Sequence, residues 1–197
     1  IGYVRVRLFT DQTSEDLEQA LAGLRASGSL AGLVVDLRDN PGGLLKQAVR
    51  VVDLWLADGV IVSTEGRQRP PELEMAHPKG TEPDYPIVAL VNGGTASAAE
   101  IVAGALQDHD RARLIGTQTF GKGSVQTVIE MEDRSALKLT IARYFTPNRR
   151  SISGVGITPD QVVPSSTADR LVPGDRTTPA LDPQLQAATT YIQEQLR

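Results

Sequence analysis

A serine and a lysine 25 positions apart are the residues here best suited to covalent chemistry. Ser97 lies in NGGTASAAE (92–100), just after a Gly-Gly turn, and Lys122 lies in GKGSVQ, in a glycine-flanked turn of its own. With no cysteine and only two histidines, the chain is poorly supplied for Cys–His or Ser–His nucleophile pairs. A lysine that loses its charge by burial can serve as the base for a serine. Lys122 sits between the apolar Phe120 and the run starting at Val125, a setting expected to desolvate the ammonium. Gln126, four residues on, can orient the amine through its amide oxygen.

Small backbone groups complete this reading. If Ser97 opens a helix, its oxygen lies near unpaired N–H groups and the positive end of the dipole. Thr95 is available as the cap, which leaves Ser97 free, and the backbone N–H of Ala98 can help hold an oxyanion. DLRDNPGG (36–43) places two glycines after an apolar run, so Gly42 or Gly43 can turn an N–H toward a ligand. Each residue also has a plain structural reading: a packed or capping serine, a solvated lysine, a surface glutamine and an ordinary turn. His77 and His109 read as solvated loop residues, away from metal-ligand or triad spacing. Asp36, Asp39, Glu100 and Asp108 are scattered and form no evident carboxylate pair. No zinc motif or phosphate-binding glycine loop is present, so no metal or cofactor is expected.

The elements that must position these residues follow from periodicity. Residues 2–9 alternate as a half-buried strand. Thr13 with Asp16 reads as a capping box for a helix carrying Leu17, Leu21 and Leu24 that ends near Gly28. Leu33–Leu37 and Pro86–Val91 read as buried strands. Residues 44–57 and Ala96–Gln107 read as helices, and Val60–Ser63 as a strand. Residues 65–85, with four prolines, read as a long exposed loop, which in a compact domain is usually functional. Arg113–Gly116 reads as a short strand, and Val125–Met131 with Ala136–Phe145 as a hairpin around MEDRS. Residues 164–181 read as a linker, and Asp182-Pro183 starts a last helix. This pattern gives three parts: a core over 1–163, the linker, and a helix over 182–197 packing on the core. Early strand–helix alternation followed by a hairpin predicts an α/β fold.

Composition excludes little else. A net charge of −4 over 197 residues gives no electrostatic reason for nucleic acid or anionic membrane as partner. No apolar run approaches the roughly 20 residues that span a bilayer. The opening IGYVRVRLF is already strand-like, as expected of a processed form or an excised domain.

VNGGTASAAEIVAGALQD with GTQTFGKGSVQ resembles the core of the C-terminal processing peptidases, or tail-specific proteases. IGYVRVRLF, DLRDNPGGLL, LKLTIARYFTPNRRSISGVGITPD and the DPQLQAA helix extend that resemblance, in order, over nearly the whole chain. It implies a Clp protease/crotonase-like core with a β-sheet spiral wrapped by helices. It places the nucleophile at Ser97, the general base at Lys122, a third partner at Gln126, and the oxyanion donors at the Ala98 and Gly43 amides. It further implies cleavage of flexible protein C-termini outside the cytoplasm (periplasm, cell envelope or thylakoid lumen), with no cofactor, and with oligomers possible. Two departures are local: Thr95 where serine is more common, and Arg149 where glycine is usual. Family members typically carry a PDZ domain, which receives substrate C-termini, and a helical leader before IGYVRV; these 197 residues contain neither.

Two other functions fit the same scaffold: a ligand- or peptide-binding module without catalysis, and acyl-CoA chemistry of the crotonase type. The second gives the lysine no natural task. Ser97, Lys122 and Gln126 occurring together favour a serine endopeptidase over both.

Overall fold

The computed structural model describes residues 1–67, 70–131, 135–164 and 182–197. In chain order the elements are β1 (Gly2–Arg5), α1 (Thr13–Ala26), β2 (Leu33–Asp36), α2 (Leu45–Asp53), β3 (Val60–Gly66), β4 (Glu72–Met75), β5 (Ile87–Val91), α3 (Ala98–Asp108), β6 (Arg113–Gly116), β7 (Ser124–Glu130), β8 (Ala136–Phe145), β9 (Gln161–Val162) and α4 (Pro183–Gln195). The short apolar runs β2 and β5 are buried along their whole length, as strands covered on both faces must be. They form the middle of a parallel sheet ordered β1-β2-β5-β6-β9, in register Leu33↔Ile87 and Val88↔Arg113. An antiparallel sheet ordered β4-β3-β8-β7 stands beside it. The chain is therefore a mixed α/β fold.

Alternation along β2 and β5 separates two apolar cores. Leu33, Val35, Ala89 and Val91 join Leu21, Val51, Val52, Trp55, Val102 and Leu106 beneath α1–α3. Val34, Val88 and Leu90 pack with Ala188 and Ile192 of α4 on the other face. The helix α4 is capped by Asp182, whose carboxylate accepts the N–H groups of Gln184 and Leu185, with Pro183 in the first turn. The expected linker falls mostly on residues 165–181, and the hairpin turn MEDRS largely on 132–134; both lie outside the described residues.

Three expectations need correction. Residues 65–85 are not a single exposed loop: β3 runs to Gly66, and Glu72–Met75 pairs antiparallel with it as an edge strand. Ala76 and Tyr85 are buried, the Tyr85 hydroxyl accepting from the Trp55 indole at 3.2 Å. Thr13 forms no capping box with Asp16; α1 is preceded by Gln12, and the Thr13 hydroxyl accepts from the Thr10 amide instead. Ser97, not Thr95, occupies the cap position of α3.

Arg149 adopts φ 58°, in the left-handed region that glycine enters freely. Its guanidinium donates to Glu65 at 2.6 Å across an exposed surface. Glycine there relieves a strain of about 1 kcal/mol but loosens the unfolded chain by a similar amount and loses a surface pair worth at most about 1 kcal/mol. Arg149→Gly is thus expected to shift urea-derived stability by less than about 1 kcal/mol, while Arg149→Val lowers it by about 1–3 kcal/mol. Equal effects of the two would show that φ is not the governing constraint.

Candidate active site

Ser97, Lys122 and Gly43 lie on loops that leave the carboxyl ends of neighbouring parallel strands, where open α/β sheets commonly place ligands. The DNPGG turn follows β2, the NGGTAS turn follows β5, and the segment from Thr117 to Gly123 follows β6. Short polar contacts lock the first two together. The Asp39 amide donates to the Asn92 side-chain oxygen at 2.9 Å, and the Asn92 amide group donates to Asp39 Oδ1 at 3.0 Å. Buried Asn40 accepts the Ala96 amide on its carbonyl at 2.9 Å and the Gly42 amide on its side chain at 2.8 Å. Thr95 is fully buried, its hydroxyl donating to the Leu37 carbonyl at 2.9 Å and accepting from the Asn92 amide at 3.0 Å.

Ser97 sits at the elbow between this turn and α3 with φ 56° and ψ −118°, a sparsely populated conformation for a residue with a side chain. Strained strand-to-helix turns of this kind present a side-chain oxygen at the top of a sheet. Gly42 is packed against it: a Cβ added at Gly42 would stand 2.7 Å from the Ser97 Cβ and 2.9 Å from the Ala98 nitrogen. Gly43, with φ 133°, has backbone of Phe9 where a side chain would be, and the Leu44 amide bonds to the Phe9 carbonyl at 2.9 Å. The Gly42 N–H is committed to Asn40. The Gly43 and Ala98 N–H groups have no acceptor among the described residues. One of them is the first N–H of a helix.

The residue that the sequence alone undervalued is Glu100. It is fully buried, and its carboxylate gathers four neutral donors. Oε2 accepts the Ser97 and Lys122 amides, each at 2.8 Å. Oε1 accepts the Gly121 amide at 2.7 Å and the Thr119 hydroxyl at 2.5 Å. The main-chain nitrogens of Ser97 and Lys122 therefore converge on one oxygen. The Phe120 amide adds a bond to the Thr95 carbonyl at 3.0 Å. A buried carboxylate is tolerable when charge-assisted bonds replace its hydration, and this one has four.

Lys122 departs from expectation in one respect. Its side chain is exposed, and Phe120 beside it is 68% exposed, so the described residues do not enclose the ammonium. Gln126 lies on the exposed surface of β7, directly after a register shift between Val125 and Gln126. His77 is an exposed partner of Asp53, and His109 closes α3 with a ring nitrogen 2.8 Å from the Val60 carbonyl. No group of three or more His, Cys, Asp or Glu able to hold a metal occurs among the described residues.

The profile of peptidase family S41 matches residues 1–163. The chain belongs to that family. A carboxy-terminal-processing protease from Bartonella bacilliformis is 53% identical over 167 residues, covering 83% of this chain and 38% of that protein. A carboxyl-terminal-processing protease from Synechocystis sp. is 42% identical over 192 residues, covering 98% of this chain and 44% of its own length. This S41 chain thus spans well under half the length of these relatives. Among solved structures, the photosystem II D1 C-terminal processing protease superposes with a TM-score of 0.76 at 39% identity, covering 82% of this chain and 42% of that one. The tricorn protease, at 19% identity and a TM-score of 0.60, shares the fold. The helix α4 lies beyond the residues that match the family profile.

Proposed function

We propose that this chain is the catalytic core of a serine endopeptidase that cuts proteins near their C-termini by acyl transfer. The observation that carries the proposal is the strained Ser97 elbow, tied through Glu100 to the Lys122 loop and flanked by the uncommitted Ala98 and Gly43 amides. Ser97 Oγ attacks the scissile carbonyl carbon while Lys122 Nζ, as the neutral amine, takes the hydroxyl proton. The oxyanion accepts from the Ala98 and Gly43 amides. The C–N bond then breaks as Lys122 returns its proton to the leaving amine. Water, deprotonated by the same amine, attacks the acyl-enzyme and frees Ser97. Gln126 orients the amine. An incoming polypeptide that covers Phe120 and Lys122 supplies the water exclusion that the described residues do not.

Substrates are flexible protein tails, consistent with the processing proteases among the relatives. The site of action is extracytoplasmic; relatives include chloroplastic processing peptidases, and no described helix is long and apolar enough to cross a membrane. The exposure of Lys122 favours one alternative, a peptide-binding module whose catalytic groups are not engaged. Digestion of β-casein by the chain and by Ser97→Ala separates the two. Cleavage that falls by at least about 1,000-fold in the variant supports the peptidase. Binding of casein without cleavage by either protein supports the module.

A further inference from the structure

Arg38, four residues before Gly42, is buried on the α4 side of the parallel sheet rather than in the site. Its Nε and Nη2 donate to the two oxygens of Asp36 at 2.9 and 2.7 Å. Its Nη1 donates to the Gln184 side-chain oxygen at 3.1 Å and forms an ion pair with Asp182 Oδ2 at 2.8 Å that is not aligned as a hydrogen bond. Asp36 also accepts from the Tyr3 hydroxyl at 2.7 Å. One buried cation thus joins the end of β2 to the cap residue of α4, 144 positions beyond Arg38 in the sequence. Gln184 extends the tie by donating to the Val163 carbonyl at 2.8 Å.

On the opposite side of this short segment stands the turn that faces Ser97. Arg38 is followed by Asp39 and Asn40, which hold Asn92, the Ala96 amide and the Gly42 amide. A shift of the Arg38 backbone has few ways to be absorbed before Gly42, because Leu37 is pinned to Leu90 and Thr95, and Asn40 to Val6. Packed, fully bonded segments transmit displacement rather than damping it. We infer that Arg38 is a positioning residue through which α4 fixes the turn carrying Gly42 and Gly43. The inference rests on the proposed role of that turn as an oxyanion donor.

The test uses the full chain with Asp182→Asn and Asp182→Ser. Both replacements are good helix caps, so α4 is retained, which far-UV circular dichroism checks. Each removes the Asp182 charge beside Arg38 Nη1 and leaves the Arg38 pair with Asp36 in place. The expected result is moved amide resonances at Gly42 and Gly43, with kcat on a peptide substrate lower by on the order of ten-fold and KM changed less than about two-fold. A purely structural role would lower Tm and leave kcat intact well below it. Unmoved Gly42 and Gly43 resonances overturn the inference, as does an unchanged kcat in an active wild-type protein. A wild-type chain without Ser97-dependent turnover defeats the functional reading alone, and the glycine resonances still decide this one.

Discussion

Replacing Glu100 by glutamine should cost both stability and activity, in a ratio that identifies what the carboxylate does. The carboxylate accepts at both oxygens and has no hydrogen to donate. Glutamine keeps one oxygen, so its amide group must face either the Ser97 and Lys122 amides or the Gly121 amide and Thr119 hydroxyl. The second orientation is the better one, because a hydroxyl can accept, yet it still leaves the Gly121 N–H buried against another donor. An unsatisfied buried donor costs about 1–3 kcal/mol and a lost charge-assisted bond a similar amount, so a loss of about 2–5 kcal/mol is expected in denaturant unfolding. The Ser97 backbone conformation stores strain that its bond to Glu100 helps to hold. Loosening it moves the nucleophile relative to Lys122, and kcat/KM should fall by about 100-fold or more. Aspartate, one methylene shorter, cannot reach both sides and should not rescue. A variant that unfolds at the wild-type denaturant concentration and retains half its activity would show that the convergence on Glu100 has no mechanical role.

That centre also shows what was legible in the sequence and what was not. Ser97, Lys122 and the DNPGG turn are readable because each stands in a short local pattern of glycine and small residues. The structure brings their backbones together at adjacent strand ends. Glu100 leaves little trace in the sequence because three of its four donors are main-chain N–H groups, which have no side-chain signature. The signal that could have found it is the Ser97–Glu100 spacing, that of a capping box, and its carboxylate does reach back to the Ser97 amide. The same limitation hides Arg38, whose partners Asp182 and Gln184 are brought near by folding alone. The edge strand Glu72–Met75 reads as loop in the sequence because it is charged and follows two prolines, the composition expected of a loop. The apolar Phe120 predicts an enclosed Lys122, but an apolar neighbour buries a group only when something packs over both. Here Phe120 itself faces solvent.

That exposure makes Lys122→Ala the cleanest separation of chemistry from structure. Its main-chain N–H, the part bonded to Glu100, survives the substitution, and its side chain is exposed among the described residues. Unfolding free energy should therefore change by less than about 0.5 kcal/mol. If Lys122 is the base, turnover should nonetheless fall by at least about 1,000-fold, as it does when a triad member is removed elsewhere. Lys122→Arg then distinguishes two ways a cation could help. A guanidinium stays protonated throughout the usable pH range, so it can stabilise an oxyanion but cannot take the Ser97 proton. Arginine as inactive as alanine supports proton transfer by the amine. Arginine retaining more than about a tenth of wild-type kcat would instead assign Lys122 to charge stabilisation, and the proton from Ser97 would need another acceptor.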